Sequence, residues 1–146
     1  MAIETREEIT IGQLVIRFLL EGEQTDGAAA VFEFDVPAGA AVPAGHSHDA
    51  YDETIYVLEG VLTWTIDGTA VDVAPGEVIH IRRGEVHRFD NVHETDAKAL
   101  AFVTPGILSP DYFREVAAVI DAAAGGPPDL EAVAAAMRRH GLTPAA

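Results

Sequence analysis

Short hydrophobic runs broken by turn residues extend along the chain from residue 9 to about residue 104. Each run is rich in β-branched and aromatic residues or alternates apolar with polar positions, which is the pattern of strands. The predicted strands are 9–20, 29–36, 53–60, 61–66, 69–74, 77–81, 85–89 and 98–103. Asp67-Gly68 lies between two alternating runs and indicates a hairpin turn. Many short strands separated by turns predict an all-β sandwich or barrel.

Beyond residue 105 the pattern changes to that of two helices. Ser109 suits an N-cap and Pro110 the first helical position, and glycines at 125–126 end this helix. A second helix within 127–141 has acidic residues at its start, basic residues at its end and Gly141 as its C-cap. We therefore expect a β domain over residues 1–105 and a helical extension over residues 106–146 that packs on it.

The predicted strand at 53–60 is largely apolar on both faces. Because side chains alternate along a strand, Ile55 and Val57 point one way with Glu53, and Tyr56 and Leu58 point the other way. A strand that is apolar on both faces is usually covered on both. Either the C-terminal helices or a second subunit provides the second cover, and we expect a homodimer.

Composition and net charge exclude several kinds of binding partner and several kinds of site. The chain has 146 residues, of which 49% are hydrophobic, so it is long enough for one globular domain with a core. Its formal net charge of −15 repels polyanions, so neither nucleic acid nor an anionic membrane surface is an expected partner. The acidity itself is explained by solubility. The absence of cysteine excludes disulfides, thiolate metal sites and cysteine nucleophiles.

The N-terminal residues carry no secretory pattern. The first twelve residues, MAIETREEITIG, are polar and acidic, without a basic segment followed by a long apolar one. No stretch approaches the roughly 18 apolar residues of a membrane span. We therefore expect a cytoplasmic protein.

The stretch GHSHDAYDE contains the first candidate chemistry. Residues i and i+2 of a strand share a face, so His46 and His48 project together if this stretch is extended, with Glu53 nearby. Two imidazoles with a carboxylate within reach are the beginning of a metal site. Asp49 and Asp52 compete with Glu53 for the carboxylate role, and we expect both to be solvated loop residues.

A second stretch, PGEVIHIRRGEVHRFDN, adds Gly76, Gly84, His87 and Asn91. Together the two stretches resemble the two motifs of the cupin superfamily, G(x)5HxH(x)3–4E(x)6G and G(x)5PxG(x)2H(x)3N. The resemblance covers roughly residues 30–104. One residue more than the pattern separates the first glycine from the first histidine, and Arg82 stands where the second motif has proline.

The resemblance implies a small jelly-roll β-barrel that holds one divalent metal ion. Carried over position by position, the ligands are His46, His48, Glu53 and His87. Such ligands suit Fe, Mn, Ni, Co, Cu or Zn, and they leave two positions of an octahedron open for substrate or O₂. Glu53 is then a ligand, a base that leaves the metal, or both.

The C-terminal extension also resembles small single-domain cupins described as quercetin-dioxygenase-like. This resemblance implies a metal-dependent dioxygenase that acts on a small phenolic or enolic substrate, with Glu53 taking the substrate's proton. The alternatives are a non-oxidative enzyme (isomerase, cyclase, decarboxylase or hydrolase) that uses the metal as a Lewis acid, and a non-catalytic barrel that binds a small ligand.

Several other side chains lie outside the two motifs or are not ligands in them. We expect His80 to form a structural hydrogen bond inside the barrel, with contact to a ligand as the alternative, and His93 to be exposed. His140 is interpreted as a cation at a helix C-terminus, and Arg82 and Arg83 as partners of surface acids. Most of the strand aromatics are expected in the core, some of them lining the metal pocket: Trp64, Phe32, Phe34, Phe89 and Phe102.

Overall fold

A computed structural model of the protein describes residues 7–42 and 44–145. The first six residues, which belong to the segment predicted to lack a secretory pattern, lie outside the described residues. Among those described, most of the regular secondary structure belongs to two antiparallel sheets. This confirms the expectation of a mainly β protein with two short helices near its C-terminus.

The first sheet has the strand order β1-β2-β3-β10-β5-β8 within the described residues. Its strands are β1 Glu8–Ile11, β2 Leu14–Leu20, β3 Ala30–Val36, β5 Asp52–Glu59, β8 Val78–Ile81 and β10 Ala97–Thr104. The predicted single strand over 9–20 was wrong in one respect, because a turn at Gly12, with φ of +58°, folds this run into the β1–β2 hairpin. A short 3₁₀ helix, Gly22–Thr25, precedes β3.

The second sheet has the order β11-β4-β9-β6-β7 within the described residues. Its strands are β4 His46–His48, β6 Leu62–Ile66, β7 Thr69–Val73, β9 His87–Asp90 and β11 Leu142–Pro144. The predicted hairpin at Asp67-Gly68 is confirmed, since β6 and β7 pair from Leu62↔Val73 to Ile66↔Thr69. Sequence reasoning missed β11, which follows the second helix and pairs with β4.

The core lies between the two sheets. Strand β3 buries every second residue, from Ala30 to Val36, as alternation predicts. Phe34 of the first sheet meets Trp64 of the second edge to face, with ring centroids 6.2 Å apart. The sheets therefore pack face to face through their apolar sides.

Two helices follow the last strand of the first sheet. Helix α1 (Pro110–Ala122) begins at the predicted N-cap, where the Ser109 hydroxyl accepts a hydrogen bond from the Asp111 amide. Helix α2 (Leu130–Arg139) is capped by Asp129, and His140 occupies its C-cap, so the predicted cap, Gly141, comes one residue later with φ of +80°. In the described part of the chain, no helix combines the length and apolar character that a membrane crossing needs.

Candidate metal centre

Three histidines converge on the inner side of the second sheet. Strands β4 and β9 are antiparallel neighbours, and His46 lies directly opposite His87 in their register. His48 shares the face of His46 because the two lie two positions apart on β4, with Ser47 between them. The potential ligand nitrogens of His46, His48 and His87, which we call the histidine cluster, all lie within 4.8 Å of one another. No other group of three or more potential ligands this compact was found among the described residues.

Backbone carbonyls select the tautomer of two of these rings. The Ala44 carbonyl lies 3.1 Å from His46 Nδ1, and the Glu85 carbonyl lies 2.9 Å from His87 Nδ1. A carbonyl only accepts, so each Nδ1 carries the proton and each Nε2 presents its lone pair. Metal-binding histidines are oriented in this way by a hydrogen bond to the other ring nitrogen.

Two nitrogens of the histidine cluster are buried without a partner among the described residues. They are His48 Nδ1 and His87 Nε2. The His48 ring stacks on Tyr51, with centroids 4.3 Å apart. A buried polar atom without a hydrogen bond costs roughly 1–3 kcal/mol, and a metal ion bound at His87 Nε2 would remove that penalty there. The donor set present therefore fits a metal ion.

Electrostatics keep the imidazoles neutral. Burial, together with the proximity of His87, lowers the pKa of His46 to about 4. Burial also lowers the pKa values of His48 and His87, and the other two histidines lower that of His48 further. Because a metal ion binds only the deprotonated nitrogen, the cluster is ready for a cation at neutral pH.

Glu53 reaches the histidine cluster from the opposite sheet. It lies on β5, is 9% exposed, and places Oε1 3.9 Å from His87 Nε2. Burial raises the pKa of Glu53 to about 7. The structure thus brings all four predicted ligands to one place, with the three histidines tightly grouped and the carboxyl group beside them.

The two competing carboxylates are engaged elsewhere. Asp49 accepts a hydrogen bond of 2.7 Å from Thr143, a residue of β11. Asp52 accepts hydrogen bonds from the backbone amide and the guanidinium of Arg83. The expected pairing of Arg83 with a surface acid is therefore confirmed, and Arg82 lies 3.7 Å from Glu85.

A cavity of about 80 Å³ adjoins the histidine cluster and Glu53. Its walls are mainly aromatic and aliphatic and include four of the predicted aromatics, Phe32, Phe34, Trp64 and Phe89. The fifth aromatic, Phe102, is the exception to the expectation that most of them lie in the core, because it is 37% exposed on the outer side of β10. Alternation gives the inner side of that strand to its alanines and Val103.

The sequence did not predict that helix α1 forms one wall of the cavity. Tyr112, Phe113 and Val116 of α1 line it together with Leu108, which precedes the helix. The amphipathic pattern of this helix was visible in the sequence, but nothing in the pattern showed what its apolar side would cover.

The remaining histidines lie outside the site. His80 is exposed, so its expected place inside the barrel was wrong, although its Nδ1 does form a hydrogen bond of 2.9 Å, with Thr54. His93 is half-buried rather than exposed and lies 3.1 Å from the Thr63 hydroxyl. His140, at the end of α2, contacts Glu115 at 3.1 Å.

The asparagine of the second motif has a structural role. Asn91 is 2% exposed, and its amide donates to the carbonyls of Val36 and Thr95. Its side-chain oxygen accepts from the His93 amide. These bonds hold the loop that follows β9 and therefore stabilise the strand that carries His87.

Part of the chain matches a known domain family, and two known proteins are similar to it in sequence. Residues 32–103 match the Cupin_2 model, described as a cupin domain. A quercetin 2,3-dioxygenase of Bacillus subtilis (strain 168) is 31% identical over 110 residues, which is 74% of this chain and 31% of that enzyme. The chain thus spans about a third of the length of that relative. An oxalate-binding protein of Thermotoga maritima is 29% identical over 93 residues, which is 63% of this chain and 76% of that protein.

A solved structure gives the same assignment at the level of the fold. The crystal structure of a predicted oxalate decarboxylase from Thermotoga maritima matches with a TM-score of 0.63 at 24% identity. The match covers 72% of this chain and 99% of that one, and at this identity it shows the fold alone. With the domain match over residues 32–103, these similarities show that the chain belongs to the cupin superfamily.

Proposed function

We propose that this protein is a metal-binding cupin in which His46, His48, His87 and Glu53 hold one divalent transition metal ion. The observation that carries the proposal is the convergence of three neutral imidazoles with potential ligand nitrogens within 4.8 Å of one another. The orphaned His87 Nε2 supports it, because the described residues offer this lone pair no other partner. The two sheets would form the walls of a jelly-roll barrel around this site.

Three neutral imidazoles and one carboxylate suit Fe, Mn, Co, Ni, Cu and Zn alike. When bound, the ion supplies a Lewis acid with open positions for a substrate oxygen or for O₂. The protein's own contribution is to hold the three rings in one orientation. The two backbone carbonyls that fix the tautomers of His46 and His87 provide that rigidity.

The reaction that we propose is a dioxygenase-type oxidation of a small enolic or phenolic compound. Glu53 is the candidate base, since its carboxyl group lies beside the histidine cluster and its pKa of about 7 in the metal-free protein allows proton exchange near neutral pH. The aromatic walls exclude water and suit a planar, uncharged substrate.

The size of the cavity favours a small substrate. Its volume of about 80 Å³ is well below the roughly 150 Å³ of an engineered cavity that holds benzene. A compound of a few heavy atoms fits inside, whereas a ring compound must extend through the opening. We therefore favour small enols over phenols with several rings.

A second candidate is the binding of a small dicarboxylate, favoured by the relative named as an oxalate-binding protein. Oxalate is small enough for the cavity. However, Arg88 is the one lysine or arginine among the described lining residues, and it is exposed and paired with Asp90 at 3.0 Å. A dianion would therefore depend on the metal ion alone for neutralisation, and we place this candidate second.

Metal analysis of the protein purified without added metal or chelator tests the proposal. About one equivalent of transition metal is expected in the wild type and in the His80→Ala control, which removes an exposed histidine. His48→Ala should reduce metal affinity more than about tenfold. A wild type that binds no metal after reconstitution would contradict the proposal.

Oxygen uptake with small enols and phenols separates the reaction classes. Uptake that depends on metal and on substrate supports the dioxygenase. Turnover without oxygen uptake indicates an isomerase, cyclase, decarboxylase or hydrolase, and ligand binding without turnover indicates a binding protein.

We also propose that the tail belongs to the same folding unit and that the protein is a homodimer. Phe113 of α1 packs 5.1 Å from Phe32, and β11 extends the second sheet, which ties the tail to the β domain. On neighbouring strands of the first sheet, Tyr56, Val78 and Phe102 are exposed by 39%, 58% and 37%. This outer apolar face is the expected dimer contact.

A further inference from the structure

Helix α1 forms a wall of the cavity that lies outside the matched cupin domain. The domain match ends at residue 103, whereas Tyr112, Phe113 and Val116 line the cavity. Phe113 fixes the position of the helix, since its ring lies 5.1 Å from Phe32 and 5.8 Å from Phe18. This wall is therefore a rigid surface that the tail adds to the cupin site.

Tyr112 is the polar residue that α1 contributes to this wall. It is 5% exposed, and its ring is held edge-on between the rings of Phe113 at 5.1 Å and His140 at 5.6 Å. The described residues form no hydrogen bond to its hydroxyl. A buried tyrosine hydroxyl usually has a partner, because leaving it unpaired costs free energy.

The surroundings keep this hydroxyl protonated. Burial, and then the charge of Glu53, raises the pKa of Tyr112 above its usual value. The group therefore remains a hydrogen-bond donor throughout the physiological pH range. Glu53 lines the same cavity, so the candidate base and this donor face a common space.

The other buried tyrosine provides a contrast. The Tyr51 hydroxyl is fully buried without a partner among the described residues, whereas the Tyr112 hydroxyl is not one of these fully buried atoms. Its ring, however, lies against His48, and the cavity lining drawn from the described residues includes Tyr112 but not Tyr51. Of the two unpaired hydroxyls, the one on α1 is the one presented to a ligand.

We propose that Tyr112 donates a hydrogen bond to a second oxygen of the substrate, while the first oxygen is held at the histidine cluster. The inference rests on the proposed metal site and deepens it. It assigns the substrate to compounds with two neighbouring oxygens, such as an enol beside a carbonyl. A compound with a single oxygen would reach the histidine cluster and leave the Tyr112 hydroxyl unpaired.

The experiment compares two small probes on metal-reconstituted protein by calorimetric titration. Acetohydroxamate carries a hydroxyl and a carbonyl on adjacent atoms, whereas 1-methylimidazole offers one nitrogen to a metal and no second acceptor. Tyr112→Phe should weaken acetohydroxamate binding about tenfold and leave 1-methylimidazole binding unchanged. Tyr56→Phe removes an exposed hydroxyl from the outer apolar face and is the matched control, with no change expected for either probe.

The outcomes separate this inference from the proposed function. Wild type that binds neither probe contradicts the metal site itself. Wild type that binds acetohydroxamate with the same affinity as Tyr112→Phe overturns the role of Tyr112 and leaves the metal site standing. An equal loss for both probes, or a loss in Tyr51→Phe in place of Tyr112→Phe, also overturns it. Metal content and thermal unfolding are measured for every variant, and Tyr112→Met replaces Tyr112→Phe if the latter does not fold.

Discussion

Replacing Glu53 by glutamine in the metal-free protein probes the electrostatic cost of the site. The carboxyl group is 9% exposed, and burial raises its pKa from 4.5 to about 7. The folded protein therefore keeps a proton on Glu53 over a pH range in which the unfolded chain has released it. Glutamine has the same shape and is neutral at every pH, so the variant lacks this titration.

The sign and size of the effect follow from linkage between proton binding and folding. Between pH 4.5 and about 7 the folded state binds more protons at Glu53 than the unfolded state, so this group's contribution to stability falls as pH rises. Each pKa unit corresponds to about 1.4 kcal/mol, so the full shift amounts to roughly 3 kcal/mol. The free energy of unfolding of Glu53→Gln, measured relative to wild type at the same pH, should therefore rise by about that amount from pH 4.5 to pH 8.

The histidines change stability with pH in the opposite direction, but this contribution cancels when Glu53→Gln is compared with wild type. The pKa of His46 is lowered to about 4, so its contribution to stability is present above pH 6.5 and is lost as pH falls through about 4. Wild type and Glu53→Gln share this dependence, so the difference between them isolates the carboxyl group.

Urea unfolding of chelator-treated protein at pH 4.5, 6 and 8 measures the difference. Glu59→Gln, on the exposed end of the same strand, controls for the loss of one negative charge. A stability difference between wild type and Glu53→Gln that stays constant over this range would refute the reasoning, because it would mean that burial does not perturb Glu53. Adding metal should reduce the advantage of glutamine, since a bound cation favours the charged carboxylate.

Two further predictions concern the dimer and the backbone. Phe102→Asp places a charge in the outer apolar face and should convert the dimer to a monomer, as measured by sedimentation equilibrium. Val92→Asp, at a loop position that is 73% exposed, is the control and should leave the dimer intact. If Phe102→Asp remains a dimer, this face is not the dimer contact. Gly60→Ala should lower the free energy of unfolding by roughly 1–3 kcal/mol in urea titration, because a Cβ would lie 2.3 Å from the Asp96 carbonyl at φ of +68°. Gly68→Ala, with positive φ but open space, should cost less, and equal losses would show that the close contact is unimportant.

Much of the secondary structure was predictable because local chemistry determines it. Alternation along 29–36 and 53–60 placed both strands, and along 53–60 it grouped Glu53, Ile55 and Val57 on one face, since side-chain direction depends only on the residue's position in the strand. The Asp67-Gly68 hairpin and the Ser109 N-cap follow from backbone preferences of a few adjacent residues.

Tertiary structure decided which face of each strand is buried and which face is exposed to solvent. Alternation places neighbouring residues on opposite faces of a strand, but it could not show that the faces of His80 and Phe102 point outward, because that depends on the layer packed against the sheet. Local patterns also failed to predict strand β11. Its pairing with β4 joins residues about 95 positions apart and is therefore not encoded locally.

For the site, the sequence determined the residue types and their local spacing, and the fold determined the geometry. His46 and His48 share a face by strand period alone, and the resemblance to the cupin motifs predicted His87 and Glu53 as their companions. Only the packing of two sheets brings Glu53 of β5 to within 3.9 Å of His87 on β9 and lays Tyr112 of α1 along the same cavity. These contacts join segments that are distant in the chain, and they form because the apolar faces of the sheets and of α1 must be buried against one another.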